Sequence, residues 1–153
     1  MHSVEAMLTT QRITGSEPTK ILLIDDDELT RTTLREILSG AGYTVVREAS
    51  DAAAGLKMAL HLRPDVICLD VQMPGKSGLE LLTDLKAQLP AVRVLMITSS
   101  NNKATVDACI AGGANGFIIK PFSAEKLLTT VRACVGARAR QTAEGRPVPL
   151  QIR

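Results

Sequence analysis

Between residues 20 and 137 the chain alternates five times between a short apolar run and a longer segment whose apolar side chains recur every three or four positions. The apolar runs are residues 20–24 (KILLI), 43–47 (YTVVR), 66–69 (VICL), 92–97 (VRVLMI) and 116–119 (GFII). Three of them are nearly unbroken, the pattern of strands buried on both faces of a parallel sheet. The segments between them carry helix boundaries. Asp27 is placed to cap a first helix that buries Leu34, Ile37 and Leu38 and stops at Gly40 and Gly42. A second, Ala-rich helix over 50–62 starts at Ser50 as its N-cap and ends before Pro64. A third spans 78–88 and stops short of Pro90, and a fourth spans 103–111 and ends at Gly112-Gly113. A fifth starts at Ser123 and buries Leu127, Leu128, Val131 and Val135. This alternation predicts an α/β fold: a doubly wound, five-stranded parallel sheet with helices on both faces and right-handed crossovers.

Length agrees with one such unit. At roughly 100–200 residues per domain, the 153 residues predict a single domain over 20–137 between two flexible extensions. Residues 1–19 are Thr/Ser-rich and aperiodic, apart from Val4, Met7 and Leu8 at the spacing of a short helix; residues 138–153 are rich in Arg, Pro and Gly. Charge changes the picture only at these ends. Residues 1–19 set Arg12 against Glu5 and Glu17, and 138–153 set Arg138, Arg140, Arg146 and Arg153 against Glu144, so the overall +2 leaves residues 20–137 neutral. The arginines read as a solvated tail, and too little chain lies beyond residue 137 for a helix-turn-helix, so direct DNA reading is not expected. Cys68, Cys109 and Cys134 are odd in number and widely spaced, which argues against a disulfide framework or a metal knuckle and fits a reducing cytoplasm. No run nears the roughly 18 apolar residues of a membrane span, and residues 1–19 lack the apolar centre of a secretory signal. Aromatic residues, at 2%, are too few for a base-stacking surface.

In a doubly wound sheet, ligands bind beyond the carboxyl ends of the strands, so the chemistry is sought in the residues just past each strand. Asp25-Asp26-Asp27-Glu28 comes after the first, Asp70 after the third, Thr98-Ser99-Ser100 after the fourth and Lys120-Pro121 after the fifth. One corner therefore collects three carboxylates (Asp25, Asp26 and Asp70), a hydroxyl and an ammonium. Each feature alone is ordinary: an acidic run after a strand is most often a solvated turn. Their convergence is what carries the reading. Carboxylates this close need a cation, and an oxygen-only ligand set with room for water suits Mg²⁺. A lysine opposite the metal leaves a gap between two positive centres that fits a tetrahedral phosphoryl group, with the Thr98 hydroxyl donating to one of its oxygens. An aspartate at the metal is then a nucleophile able to hold the phosphoryl group as an acyl phosphate. Neither a P-loop nor a Gly-x-Gly-x-x-Gly run is present, so a bound nucleotide donor has no visible cradle.

Residues 20–34 (KILLIDDDELTRTTL), 66–82 (VICLDVQMPGKSGLELL), 96–100 (MITSS) and 111–122 (AGGANGFIIKPF) resemble, in the right order, the receiver domain of bacterial two-component response regulators. Because both flanks are short for an output domain, the resemblance is to the single-domain, CheY-like type. It implies that Asp70 is the phosphoacceptor, modified by a histidine kinase or a histidine phosphotransfer protein. It implies that Asp25 and Asp26 hold Mg²⁺ (or Mn²⁺), Asp26 directly and Asp25 through water, with Asp70 and the backbone carbonyl of Gln72 completing the protein ligands. Thr98 resembles the hydroxyl that moves onto the phosphoryl oxygen, Lys120 its charge partner, and Phe117 the aromatic that swings inward with Thr98. The Lys120–Pro121 peptide is expected to be cis. The surface of the fourth helix, fifth strand and fifth helix is then the read-out, docking a downstream protein or a second copy of the chain.

Some positions depart from the commonest pattern. Phe117 lacks the hydroxyl of the frequent tyrosine, and Ser99 brings a second hydroxyl beside Thr98. Gln72 and Ser100 flank the path of attacking water and are expected to set the lifetime of the phosphoryl group. Such a domain is not an enzyme beyond transfer to and loss from its own aspartate. Two alternatives stand beside this reading. One is a receiver-fold interaction module that works without phosphorylation. The other is an Asp-dependent Mg²⁺ phosphohydrolase of the haloacid-dehalogenase type, whose Asp-x-Asp-x-[Thr/Val] signature fails at Leu29 and which leaves Asp70 unexplained.

Overall fold

A computed structural model of the chain describes residues 17–144, the last eight as helical backbone. Strands and helices alternate throughout: β1 Lys20–Ile24, α1 Glu28–Gly40, β2 Thr44–Ala49, α2 Ala52–Leu62, β3 Val66–Asp70, α3 Gly78–Gln88, β4 Arg93–Thr98, α4 Lys103–Ala111, β5 Gly116–Ile119 and α5 Ala124–Glu144. The five strands are parallel in the order β2-β1-β3-β4-β5. The chain steps to one side of β1 to make β2, then crosses to the other side for the remaining three strands.

Side-chain alternation along each strand splits the core into two halves. Leu22 and Ile24 of β1, with Ile67 and Leu69 of β3, face α2 and α3, where Ala59, Leu81, Leu82 and Leu85 close the packing. Ile21 and Leu23, with Val66, Cys68 and Leu95, face Leu34 and Leu38 of α1 and Leu127 and Val131 of α5. All five residues of β3 are buried, as the unbroken run VICL predicts. The three cysteines are free and buried. Burial pushes the Cys68 thiol far above its ordinary value and Cys134 to about 11, so both stay protonated as apolar filler.

Local signals explain the element ends; β2, β3 and β4 are shifted or extended by a residue or two relative to the sequence reading, and α2 and α5 each differ at one end. Asp27 caps α1 by accepting from the Thr30 amide at 3.1 Å. Ser77 and Glu80 close a capping box at the start of α3. The cap of α2 is Asp51 rather than Ser50: its carboxylate accepts from the Ala54 amide at 2.8 Å. Strand β2 runs on past Arg47 to Ala49, because an edge strand tolerates polar residues. Helix α5 continues to Glu144, seven residues beyond the expected domain end at 137, since Ala, Arg and Gln favour helix and the first breaker is Gly145. The rest of the basic tail, residues 145–153, and residues 1–16, with the helical spacing of Val4, Met7 and Leu8, lie outside the described residues. Among the described residues no helix is long and apolar enough to cross a membrane.

Gly78 shows how tightly the β3–α3 turn closes. Its amide donates to the Val71 carbonyl at 2.8 Å, and a Cβ added to it would lie 2.0 Å from the carbonyl oxygen of Asp70. Gly40, in the last turn of α1, has nothing within 4 Å of such a Cβ. Gly78→Ala is therefore expected to destabilise the domain by about 3 kcal/mol, at the upper end of overpacking costs. Gly40→Ala is expected to be neutral or to stabilise it by about 0.5 kcal/mol. Urea denaturation of the two variants against wild type measures both.

Candidate functional site

The carboxyl ends of β1, β3, β4 and β5 form one edge of the sheet, and the four expected chemistries all sit there. Asp25 is the first residue past β1, Asp70 the last of β3, Thr98 the last of β4 and Lys120 the first past β5. β1 and β3 are neighbours on either side of the point where the chain reverses direction across the sheet, the usual place for a ligand crevice. One carboxylate oxygen from each of Asp25, Asp26 and Asp70 can be chosen so that all three lie within 4.8 Å of one another.

Burial distinguishes the three acids. Asp25 is 2% exposed and Asp70 4%, whereas Asp26 is exposed. Asp25 is held on every side: its amide donates to Ala49 O at 3.0 Å, and its Oδ1 accepts from the Asp27 amide at 2.9 Å. Its Oδ2 accepts from Lys120 Nζ at 3.0 Å. Asp70 Oδ1 accepts from the Gln72 amide at 3.2 Å, and Lys120 Nζ lies 3.7 Å from Oδ2. One ammonium thus serves two buried carboxylates. Burial, and then the charge of Asp25, push the Asp70 carboxyl up to about 6 against the opposing pull of Lys120. A carboxyl so disfavoured as an anion is a group that gains from a further cation.

The remaining members are placed by β4 and β5. Thr98 is fully buried; its Oγ1 accepts from the Ser100 amide at 3.1 Å and its carbonyl from the Lys120 amide at 2.7 Å. The Lys120–Pro121 peptide is cis. Phe117 pairs with Met96 across β4–β5 and is 7% exposed, packed into the α2–α3 side of the core. The Ser99 hydroxyl neither joins Lys120 nor competes for Asp70: it donates to Gln72 Oε1 at 2.9 Å, tying the β4–α4 loop to the β3–α3 loop. His61 is exposed on α2 and takes no part.

Two contributors escaped the sequence reading. Gly78 is one, since only the fold shows how close its backbone comes to Asp70. Arg31 is the other: it lies on α1, yet its Nη1 donates to the backbone carbonyl of Asp25 at 2.8 Å. Reading only the residues just past each strand passes over a side chain that reaches back from the next helix.

A buried aspartate, an acidic pair and a lysine arranged in this way on a β2-β1-β3-β4-β5 sheet place the molecule among the receiver domains. Residues 21–132 match the response regulator receiver domain, and the chain belongs to that family of two-component signalling proteins. Particular relatives include Protein CcdB of Bacillus subtilis (strain 168), 36% identical over 118 residues that make up 77% of this chain and 98% of CcdB. The nitrate/nitrite response regulator NarL of Escherichia coli (strain K12) is 38% identical over 76% of this chain, but the match spans only 54% of NarL. Among solved structures, the response regulator domain of Thermotoga maritima CheB superposes with a TM-score of 0.73 at 30% identity, covering 78% of this chain and 98% of that one. CheY in the CheX-CheY-BeF3-Mg²⁺ complex of Borrelia burgdorferi gives 0.76 at 27% identity, covering 80% and 93%.

The raised Asp70 carboxyl has a consequence for stability. An unfolded aspartate titrates near 3.8 and the folded one near 6. The fold therefore favours the protonated form, so this group's contribution is fully present below about pH 4 and lost as pH rises through 6. Asp70→Asn keeps the neutral form at all pH. In metal-free buffer it is expected to be about 2 kcal/mol more stable than wild type at pH 8 and about equal to it at pH 3. Chemical denaturation at the two pH values in the presence of a chelator checks this.

Proposed function

We propose that Asp70 accepts a phosphoryl group from the phosphohistidine of a kinase or histidine phosphotransfer protein, and that the modified domain signals through α4, β5 and α5. The observation that carries the proposal is the position of Asp70, a buried carboxylate 3.7 Å from a lysine and grouped with two further acids. In the transfer, a carboxylate oxygen of Asp70 attacks phosphorus. The phosphorus–nitrogen bond breaks, and its electron pair leaves with the imidazole, which takes up a proton. The product is an acyl phosphate on Asp70.

The residues present fit a hard divalent cation: three carboxylates, no nitrogen or sulfur donor, and a single lysine to balance them. Asp25, Asp26, Asp70 and the carbonyl of Gln72 would hold Mg²⁺, which when bound supplies positive charge for the phosphoryl oxygens. Asp26 is the natural direct ligand, because its carboxylate is exposed and carries no hydrogen bond or ion pair among the described residues. Asp25, already engaged by Lys120 and the Asp27 amide, is better suited to contact through water. The Borrelia burgdorferi relative, whose structure carries BeF3 and Mg²⁺ together with CheX, supports both the cation and the protein partner.

Phosphorylation adds roughly −1.5 to −2 charge and three acceptor oxygens to the site. Lys120 can turn from Asp25 toward them, and Thr98 can give up the Ser100 amide to donate to one of them. Both groups are continuous with β4 and β5, beside which an open groove of about 420 Å³ is lined by Phe117, Ile119, Pro121, Phe122, Ser123 and Lys126. Rearrangement of the two strand ends reshapes that groove for a partner protein or a second copy. Gln72, tied by its side chain to Ser99, and Ser100 flank the path of attacking water on this reading, and they set the phosphoryl lifetime.

Intact mass after incubation with Mg²⁺ and acetyl phosphate tests the acceptor. Wild type is expected to gain one phosphoryl group that is absent in Asp70→Asn and in chelator. No gain by folded wild type would instead mark an interaction module that works without phosphorylation. For the read-out, amide NMR is expected to show shifts spreading to residues 117–122 on phosphorylation. In Thr98→Ala the phosphoryl group is still taken up, and those shifts fall by more than half.

A further inference from the structure

We infer that Arg31 is a positioning residue for the cation site: it locks the peptide that joins Asp25 to Asp26 and so holds the otherwise untethered Asp26 carboxylate in place. This inference rests on the cation-binding reading above.

The carbonyl of Asp25 belongs to the peptide between the two acidic residues. β1 ends one residue earlier, at Ile24, so this carbonyl has no strand partner of its own. Arg31, in the second turn of α1, fills the gap by donating from Nη1 at 2.8 Å. The same guanidinium is fixed from the far side, where its Nε meets Glu48 Oε1 at 3.3 Å. Glu48 in turn pairs with Arg35, one helical turn further along α1. The Arg31 side chain is 17% exposed, so the fork is held within the protein rather than in solvent. A planar guanidinium with fixed donors can bridge a carbonyl and a carboxylate in this way, whereas a single ammonium on a flexible stem cannot hold both rigidly.

The backbone is arranged to permit this bridge. The register of β1 against β2 shifts between Ile21 and Leu22, pairing Ile21 with Val45 but Leu22 with Arg47. Val46 is thus an extra residue in β2. In an unbroken strand Val45 and Glu48 would face opposite sides of the sheet. With the bulge, Val45 packs toward α1 beside Tyr43 while Glu48 lies opposite Leu23 on the same face, within reach of Arg31 and Arg35. The bulge re-aims one side chain, and that side chain orients the arginine that holds the acidic loop.

Asp26 makes the consequence specific. Asp25 is held at its amide and at both carboxylate oxygens, besides the Arg31 contact at its carbonyl. The Asp26 side chain has no such ties, so its position depends on the peptide plane that precedes it. The sign of the effect separates positioning from charge. Removing a cation beside a divalent-cation site should, by Coulomb's law alone, tighten metal binding. Loss of positioning loosens it.

The test is Mg²⁺ titration calorimetry on the full chain, unphosphorylated and at fixed ionic strength, with circular dichroism to verify folding. Arg31→Met is expected to raise the Mg²⁺ dissociation constant about tenfold, the scale seen when groups supporting metal ligands are removed. Arg31→Lys, which retains charge and one contact but not the bridge, is expected to fall in between and carries the test if the methionine variant does not fold. Arg35→Met removes the same charge and also touches Glu48, yet does not reach Asp25, and its dissociation constant is expected to stay within twofold of wild type. Unchanged or tighter binding in the folded Arg31 variants overturns the inference, as does an equal loss in Arg35→Met. Wild type that binds no Mg²⁺ overturns the cation-binding reading itself, and the inference with it.

Discussion

Lys120 is the counter-charge on which the site depends. Its ammonium lies 3.0 Å from Asp25 and 3.7 Å from Asp70, and these are two of the four buried polar or charged residues among those described. At an effective dielectric near 20, two carboxylates within 4.8 Å of one another repel by about 3–4 kcal/mol. One lysine shared between two acids, with Asp26 beside them, offsets this only in part. The shortfall falls on Asp70, the member with fewer hydrogen bonds. The site is thus built to be short of positive charge in the resting protein.

Keeping such a cluster together needs a scaffold that does not relax away from it. The sheet supplies that: β1, β3 and β4 are apolar on both faces and sandwiched between two core halves, so their ends cannot splay without opening a packed interior. Turn chemistry then directs the acids at one another. Gly78 lets α3 begin directly against the Asp70 carbonyl. The side-chain cap at Asp27 starts α1 close behind β1, the capping box at Ser77 fixes the start of α3 beyond the β3–α3 loop, and Arg31 holds the peptide just past β1. Edge strand β2 contributes through its bulge, which brings Glu48 onto the face that packs against α1.

Much of this was legible in the sequence because parallel strands buried on both faces read as continuous apolar runs, and because the chemistry of a doubly wound sheet sits at the carboxyl ends of its strands. The five strands, the cap at Asp27, the break at Gly112-Gly113 and the convergence of Asp25, Asp26, Asp70, Thr98 and Lys120 on one edge all derive from that. The illegible part is long-range or depends on backbone path. Nothing in the run YTVVREA marks Val46 as an extra residue, since a bulge is defined by the partner strand. Arg31 looks like an exposed polar position on an amphipathic helix until the carbonyl that it reaches is in view. The choice of Asp51 over Ser50 as a cap turns on one residue of helix phase, which composition does not settle.

The shortage of positive charge also indicates why a signal would leave through β4 and β5 rather than through β1. On the proposed reaction, a dianionic group arrives in a site whose lysine is already shared. Asp25 cannot move to release that lysine, because its amide, carbonyl and Oδ1 are each held by separate partners. The adjustable donors are Lys120, which can trade one carboxylate for the phosphoryl oxygens, and Thr98, whose hydroxyl is held only by a loop amide. These two residues are joined by the 2.7 Å bond from the Lys120 amide to the Thr98 carbonyl, so displacement of either draws on the same pair of strand ends. Phe117 and the groove beside α5 lie immediately behind them. The rigid side of the site and the compliant side are therefore assigned by which backbone groups are already spoken for, and the compliant side is the one that borders an open surface.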